Sequence, residues 1–448
     1  MPPSCSNSDG GPDGTCAARS RRPTGSLRRG GKRCRKRRSR RESGSRRTEE
    51  EDPMSRSTLP RIRLAEATID ADDLRSLAEW LAGNPWLTMG ELTRRFERRW
   101  AEWLGVRHAV YVNSGSSANL LAYAALDLSG RLRNRKVVVP AVSWATTVAP
   151  AFQLGFEPIA CDADERTFGL DPDHLESICR QHEPAAVVLV HVLGVPAAME
   201  TIQELQDRYG FVLFEDSCAA TGSRYDGRRV GTFGAISTFS FYFGHHISTI
   251  EGGMVCTDDE ALWELLLQLR SHGWANELPP ARAKELADAH GIAPFNRRFT
   301  FYVPGFNVRP TDLGAYLGLR QMEKIDAVVA ARIRNHRRYA ERLGRTGTLA
   351  IQSNARAEIS SISFAALAST PSHRERIARA LSDAGIETRP LGGGNMTRQP
   401  FWRARLHSVT LPMADRIHDT AFHLPNHPGL TADDIDFVCD TVLGVEAE

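Results

Sequence analysis

Five short apolar runs, rich in β-branched residues, dominate the middle of the chain: His108-Ala-Val-Tyr-Val112, Lys136-Val-Val-Val139, Phe156–Cys161, Ala186-Val-Val-Leu-Val190 and Phe211-Val-Leu-Phe214. None alternates polar with apolar residues, so neither face of these strands is expected to meet water. Helical patterns at Ala118–Leu126, Asp171–Cys179 and Met199–Tyr209 separate them. Continuous apolar strands divided by helices predict an α/β fold, a mainly parallel sheet covered on both faces. Ligands of such sheets bind outside the carboxyl ends of the strands, which is where polar motifs matter most.

The flanks extend this frame. Asp70 caps a helix that places Leu74, Leu77 and Leu81 on one face, and a second amphipathic helix covers Leu92–Leu104. Further on, Met254–Thr257 reads as a strand, and Glu260–Arg270, Thr311–Gln321 and Ile325–Leu343 as helices, while 279–300 shows no clear pattern. From about 347 the pattern becomes strand, helix, strand (Glu358–Phe364, Arg374–Ala384, Ile386–Arg389), closing with a helix over Ala432–Val442. The expected division is an extension over 1–53, a large domain with its N-terminal segment over 54–345, and a small α/β domain over 346–448.

The extension carries fifteen Lys and Arg against seven Asp and Glu, leaving 42 basic against 47 acidic residues in the body. Its Arg-rich run 28–41 has no apolar face to bury, so disorder is expected. It is either an arm for nucleic acid or another anionic surface, or a nonfunctional extension upstream of a start at Met54; the second reading is adopted, and nucleic acid is not expected as a partner. No apolar run approaches the ~20 residues that span a bilayer, and the N-terminus lacks a secretory h-region. The eight cysteines show no Cys-x-x-Cys spacing, which suits a reducing compartment, so the cytoplasm is expected.

Four stretches follow the strands. Asn113-Ser-Gly115-Ser116-Ser117-Ala-Asn119 joins a strand to a helix and is either a phosphate cradle or an ordinary Ser-capped turn. Trp144, in Pro140-Ala-Val-Ser-Trp144, is positioned to stack on a flat ring or to fill core under its loop. Asp216 ends an apolar strand, where its carboxylate could keep a pyridine nitrogen protonated or cap a helix. Ser240-Phe-Tyr-Phe-Gly-His245-His246-Ile-Ser-Thr-Ile-Glu-Gly252-Gly253 presents two imidazoles at a bend, without the third ligand nearby that a metal site needs.

With Gly305-Phe-Asn307-Val-Arg-Pro310, these motifs stand in the order that resembles the DegT/StrS-type sugar aminotransferases, pyridoxal-phosphate enzymes of fold type I that act on nucleotide-linked keto sugars. The resemblance runs from about Leu64 to the C-terminus. It implies that the backbone of Gly115 and Ser116 and the hydroxyl of Ser240 hold the cofactor phosphate, that Trp144 stacks on the ring and that Asp216 faces its nitrogen. It also implies a homodimer with shared sites, in which Asn307 reaches the neighbouring chain's cofactor.

The position of the lysine that binds the cofactor covalently, five residues after Ser240 and seven before Gly252, holds His245. An imidazole cannot bond the cofactor but can move a proton near neutral pH. The resemblance is therefore to the branch with His for Lys, whose members remove the C3 hydroxyl of a 4-keto-6-deoxy sugar, with non-covalent pyridoxal or pyridoxamine phosphate. That branch has an iron–sulfur type and a glutamate-dependent type acting on GDP-4-keto-6-deoxymannose. No cysteine lies from Arg270 through Pro310, so no cluster is expected and L-glutamate is the expected co-substrate. His246 and Arg389 are candidates to contact substrate, and Asn426-His427 to help hold an anionic group. Where the family has Gln or Glu near the cofactor hydroxyl, this chain has Ala219; Ser217 is a candidate to take its place. A transaminase working without the lysine, and a degenerate homologue that binds without turnover, are the alternatives.

Overall fold

Seven strands form the central sheet of the computed structural model, which describes residues 61–445 apart from 346, 348 and 408. The expectations for 1–53 lie outside the described residues. The strands are β1 (His108–Val112), β2 (Lys136–Pro140), β3 (Glu157–Cys161), β4 (Ala186–Val190), β5 (Val212–Asp216), β6 (Ile236–Ser240) and β7 (Gly253–Thr257). They lie in the order β1-β7-β6-β5-β4-β2-β3. Only β7 runs against its neighbours, and the pairs from β6 across to β3 are parallel. The expected mainly parallel α/β architecture is what the chain builds.

The absence of alternation in the strands has its counterpart in two cores. Val137, Val139, Val188 and Phe214 pack on one face with Leu121, Ala122 and Ala125 of the helix Gly115–Leu128. Val138, Val187, Leu189 and Leu213 pack on the other with Ile178, Ile202 and Leu205. Each strand thus buries successive residues on opposite sides. The carboxyl ends of β1, β2, β4, β5 and β6 point the same way, which gathers the polar residues that follow them.

A three-stranded C-terminal sheet pairs Ser363–Leu367 with Ala421–Pro425 and with a short edge at Ala350–Ile351. Phe364, Phe422 and Leu424 pack there against Ile377, Leu381, Ile435 and Val438. Ile386–Arg389, expected as a strand, makes only single bridges, from Ile386 to Ile62 and from Arg389 to His423. The strand that takes the sheet position, Ala421-Phe-His-Leu-Pro425, carries His and Pro and has no β-branched residue. The stretch without a pattern holds a helix, Pro280–Ala289, and the segment after Trp144 another, Ala145–Gln153.

The helix Ala71–Ala82 departs from its amphipathic reading. Leu74 and Leu81 are 55% and 38% exposed, while Asp73 is buried and completes a capping box with Asp70. Gln321 Nε2 and Lys324 Nζ donate to the Asp73 carboxylate at 2.7 and 2.9 Å. The helix is moored by that carboxylate, and its leucine face is left open. Among the described residues no helix is long and apolar enough to cross a membrane.

Candidate active site

The helix Gly115–Leu128 starts two residues beyond β1. Ser114 Oγ accepts from the Ser117 amide at 3.0 Å, and among the described residues no backbone acceptor meets the amides of Gly115 or Ser116. Free N–H groups at a helix start are an anion site. A Cβ on Gly115 would stand 2.6 Å from Ser240 Cβ and 2.9 Å from its Oγ. Only a residue without a side chain lets the Ser240 hydroxyl, at the end of β6, come alongside those amides. Gly253 makes room on the neighbouring strand, since a Cβ there would sit 2.4 Å from the Ser114 carbonyl oxygen.

Asp216 is the last residue of β5 and is buried. Asn119 Nδ2 and Thr147 Oγ1 donate to its Oδ2 at 2.9 and 2.7 Å, and the Cys218 amide donates to Oδ1 at 3.1 Å. Thr238 Oγ1 in turn donates to Asn119 Oδ1 at 2.6 Å. Together these donors fix the orientation of the carboxylate. No helix starts at Asp216, so the capping alternative falls away. Its neighbour Glu215 points to the other face, accepting from the Gly231, Phe233 and Gly234 amides and pairing with His191 Nε2. Ser217 Oγ is buried and would lie 3.2 Å from a Cβ on Gly231, the residue whose amide Glu215 holds.

The two histidines diverge. His245 Nδ1 lies 2.8 Å from the Cys218 carbonyl oxygen, which can only accept. Nδ1 therefore carries the proton, and Nε2 is left with its lone pair. Burial pushes the His245 pKa down to about 4; the Cys218 hydrogen bond and Asp216 act against that, and Arg332 adds to it. The ring is a neutral base at pH 7. His246 is fully buried, with Nε2 2.9 Å from the Ser360 carbonyl oxygen and 3.0 Å from its Oγ. Burial holds its pKa far below the usual range.

Trp144 is 62% exposed just beyond β2, and Ser116 Oγ donates to Thr146 Oγ1 at 3.2 Å. Hydrogen bonds and close packing thus link Gly115, Ser116, Asp216, Ser240 and His245 at the strand ends, with Trp144 beside them. Asn307 is exposed on a loop whose Val308 carbonyl accepts from the Asn113 amide, and its Oδ1 accepts from Arg309 Nε. His246 faces Ser360 instead of this cluster, and exposed Arg389 binds Glu387 at 2.6 Å. Asn426 and His427 are buried beside helix Ile325–Leu343, Asn426 Nδ2 donating to the Arg332 carbonyl and the His427 carbonyl accepting from Asn335. Sequence reasoning did not single out Thr147, Thr238 or Arg332. Thr147 follows Trp144 by one helical turn, a usable signal, whereas Arg332 is one of several arginines on its helix. Among the described residues no three His, Cys, Asp or Glu side chains gather as a metal site.

A family model described as the DegT/DnrJ/EryC1/StrS aminotransferase family matches residues 67–443. The chain is 35% identical over 348 residues to a GDP-4-keto-6-deoxy-D-mannose 3-dehydratase of Yersinia pseudotuberculosis, covering 77% of this chain and 87% of that protein. It is also 35% identical over 410 residues to a dTDP-4-dehydro-2,6-dideoxy-D-glucose 3-dehydratase of Saccharopolyspora spinosa, covering 88% of each. Among solved structures, an E. coli GDP-4-keto-6-deoxy-D-mannose-3-dehydratase with bound hydrated PLP superposes with a TM-score of 0.78 at 29% identity, over 86% of this chain and all of that one.

Proposed function

The chain belongs to the DegT/DnrJ/EryC1/StrS aminotransferase family, and from that premise we propose that it removes the C3 hydroxyl of a nucleotide-linked 4-keto-6-deoxy sugar, GDP-4-keto-6-deoxymannose. The product is the 4-keto-3,6-dideoxy sugar. The reaction uses pyridoxal/pyridoxamine phosphate held without a covalent bond, with L-glutamate restoring the amine. One observation carries this reading: the family's lysine position holds His245, a neutral imidazole with Nε2 unprotonated.

The residues fit the cofactor. The amides of Gly115 and Ser116 and the Ser240 hydroxyl suit a phosphate, in a cradle that a Cβ on Gly115 would fill. The Asp216 carboxylate, held in place by Asn119, Thr147 and the Cys218 amide, suits a protonated ring nitrogen. Trp144 supplies an open aromatic face. When bound, the cofactor supplies an amine and an electron sink. His245 Nε2 would take the proton at the cofactor's C4′ and, with its pKa low, give it to the departing C3 hydroxyl, which leaves as water. His246, packed on Ser360, supports the loop. Arg389 and the Asn426-His427 pair remain our candidates for an anionic group of the nucleotide sugar or of glutamate.

We read the enzyme as a homodimer in which Asn307 reaches the neighbour's phosphate site. The open face of Leu74 and Leu81, and the exposed Trp86, Tyr242, Phe243, Ile250 and Phe301, support a surface that a second chain covers. The described cysteines Cys161, Cys179, Cys218, Cys256 and Cys439 are unpaired, which supports placement in the reducing cytoplasm. The small domain is read as beginning at 346.

A dTDP-linked substrate is the second reading, favoured by the S. spinosa relative, which is equally identical over a longer span. The test offers purified enzyme, cofactor and glutamate with GDP-4-keto-6-deoxymannose, its dTDP-linked glucose counterpart or a CDP-linked one. We expect the highest kcat/KM on the GDP sugar. A preference for the dTDP sugar would move the assignment to the second reading, and turnover only with an added reductase would overturn both.

A further inference from the structure

Arg332, on the helix Ile325–Leu343, is 1% exposed. A buried guanidinium is ordinarily matched by a carboxylate, yet among the described residues every hydrogen bond this one donates goes to a backbone carbonyl. Nη2 donates to Gly244 at 3.2 Å and to His245 at 3.3 Å. Nη1 donates to Ile362 at 3.0 Å and to Asn426. Asn426 Nδ2 returns a bond to the Arg332 carbonyl at 3.2 Å and holds Ser361 at 2.9 Å.

The four carbonyls come from two places. Gly244 and His245 belong to the loop after β6. Ile362 immediately precedes one C-terminal strand, and Asn426 immediately follows the other. The planar fork therefore ties the loop of the base to the ends of the C-terminal sheet. On its other side the loop is bounded by Gly244, which has a φ of 86° and would bring a Cβ within 2.7 Å of Ala65 Cβ.

We propose that Arg332 is a positioning residue for proton transfer: by holding the carbonyls of Gly244 and His245 it keeps the imidazole on the Cys218 carbonyl, with Nε2 facing the strand ends. The inference rests on the reading of His245 as the base. It also makes the orientation of that base depend on where the C-terminal sheet sits, because the same guanidinium holds both. Lysine keeps the charge but cannot span two pairs of carbonyls with a planar fork.

Charge adds a second handle. The groups around His245 are Arg332, which disfavours the imidazolium, Asp216 and the Cys218 carbonyl, which favour it, the neighbouring His246, and the Tyr242 ring, edge-on with centroids 6.4 Å apart. Burial brings the Arg332 pKa down to about 9, which leaves it charged at neutral pH.

The test compares Arg332→Met and Arg332→Lys with the unaltered full-length protein, by NMR of nitrogen-15-labelled histidines and by steady-state kinetics, with His245→Asn assigning the signal. In the unaltered protein His245 should be a single Nδ1–H tautomer. In Arg332→Met we expect a mixture of tautomers, a His245 pKa about one unit higher, and kcat roughly 10–100-fold lower with KM for the sugar within about twofold. In Arg332→Lys we expect mixed tautomers and at least a roughly fivefold loss of kcat with the pKa still low. Should the Met variant not fold, the Lys variant decides. Wild-type tautomer and kcat in a folded variant, or a raised KM with kcat intact, would overturn the proposal. A fully active His245→Asn would sink the reading of the base, and the NMR result would still say whether Arg332 sets the ring.

Discussion

His245 Nδ1 donates to the Cys218 carbonyl oxygen at 2.8 Å, two residues beyond the carboxylate of Asp216. A single turn leaving β5 thus fixes both the group suited to a ring nitrogen and the tautomer of His245. The Cys218 amide binds Asp216 while its carbonyl binds His245, so displacement of one disturbs the other.

Replacing His245 with Asn should lower dehydration by roughly 10³-fold, the scale of a lost general base, with circular dichroism and melting little changed. His246→Asn should behave oppositely. The Ser360 carbonyl keeps only the longer bond from Ser223 Oγ at 3.3 Å, so stability should fall by about 0.5–1.5 kcal/mol, while the rate per folded molecule persists. If His246→Asn alone abolished turnover, the roles assigned to the two rings would be reversed.

Asp216→Asn should reduce turnover by roughly 10–100-fold, since a charge-assisted contact contributes about 1.5–3 kcal/mol. Asn119→Ala, which removes a donor from Asp216 and an acceptor from Thr238, should have a smaller effect in the same direction. Cofactor absorbance over pH reports the ring nitrogen directly: in Asp216→Asn it should lose its proton at lower pH.

Gly115→Ala places a methyl group 2.6 Å from Ser240 Cβ. Overpacking of this kind costs about 1–3 kcal/mol, and the shift at the helix start should weaken cofactor binding by at least roughly tenfold. Equilibrium dialysis measures it; unchanged affinity would place the phosphate elsewhere.

Acid should weaken the fold early. Burial lowers the pKa of His245, His336 and His423 to about 4 in the folded protein, against about 6.5 when unfolded. Between those values the unfolded chain binds more protons, so stability is complete above about pH 6.5 and is lost as the pH falls toward 4. The slope is about 1.4 kcal/mol per pH unit for each such histidine. Urea unfolding from pH 7 to 4.5 should show the decline; a flat profile would mean these rings are not buried neutral.

The central sheet was legible because its strands are apolar on both faces, as at Val137-Val-Val139, where neighbours pack into opposite cores. The cluster of Gly115, Ser116, Asp216 and Ser240 was legible because the polar residues that follow parallel strands gather at one end of the sheet. The C-terminal sheet was harder: Ala421–Pro425 lacks β-branched residues, whereas Ile386–Arg389 has strand-like composition but only isolated bridges. Leu74 and Leu81 misled because an amphipathic face says that something covers it, without saying that the same chain does. Arg332 left no trace, because a guanidinium bound to carbonyls needs no partner side chain for sequence to pair it with.

The fate of nitrogen tests the account most directly. Enzyme, cofactor and GDP-4-keto-6-deoxymannose are supplied with nitrogen-15 glutamate, and the products are followed by NMR and mass spectrometry. Dehydration at His245 predicts labelled ammonia in step with 2-oxoglutarate and an unlabelled 3-deoxy sugar. Label retained as an amine at C4 of the sugar would make the protein a transaminase and contradict the role given to His245.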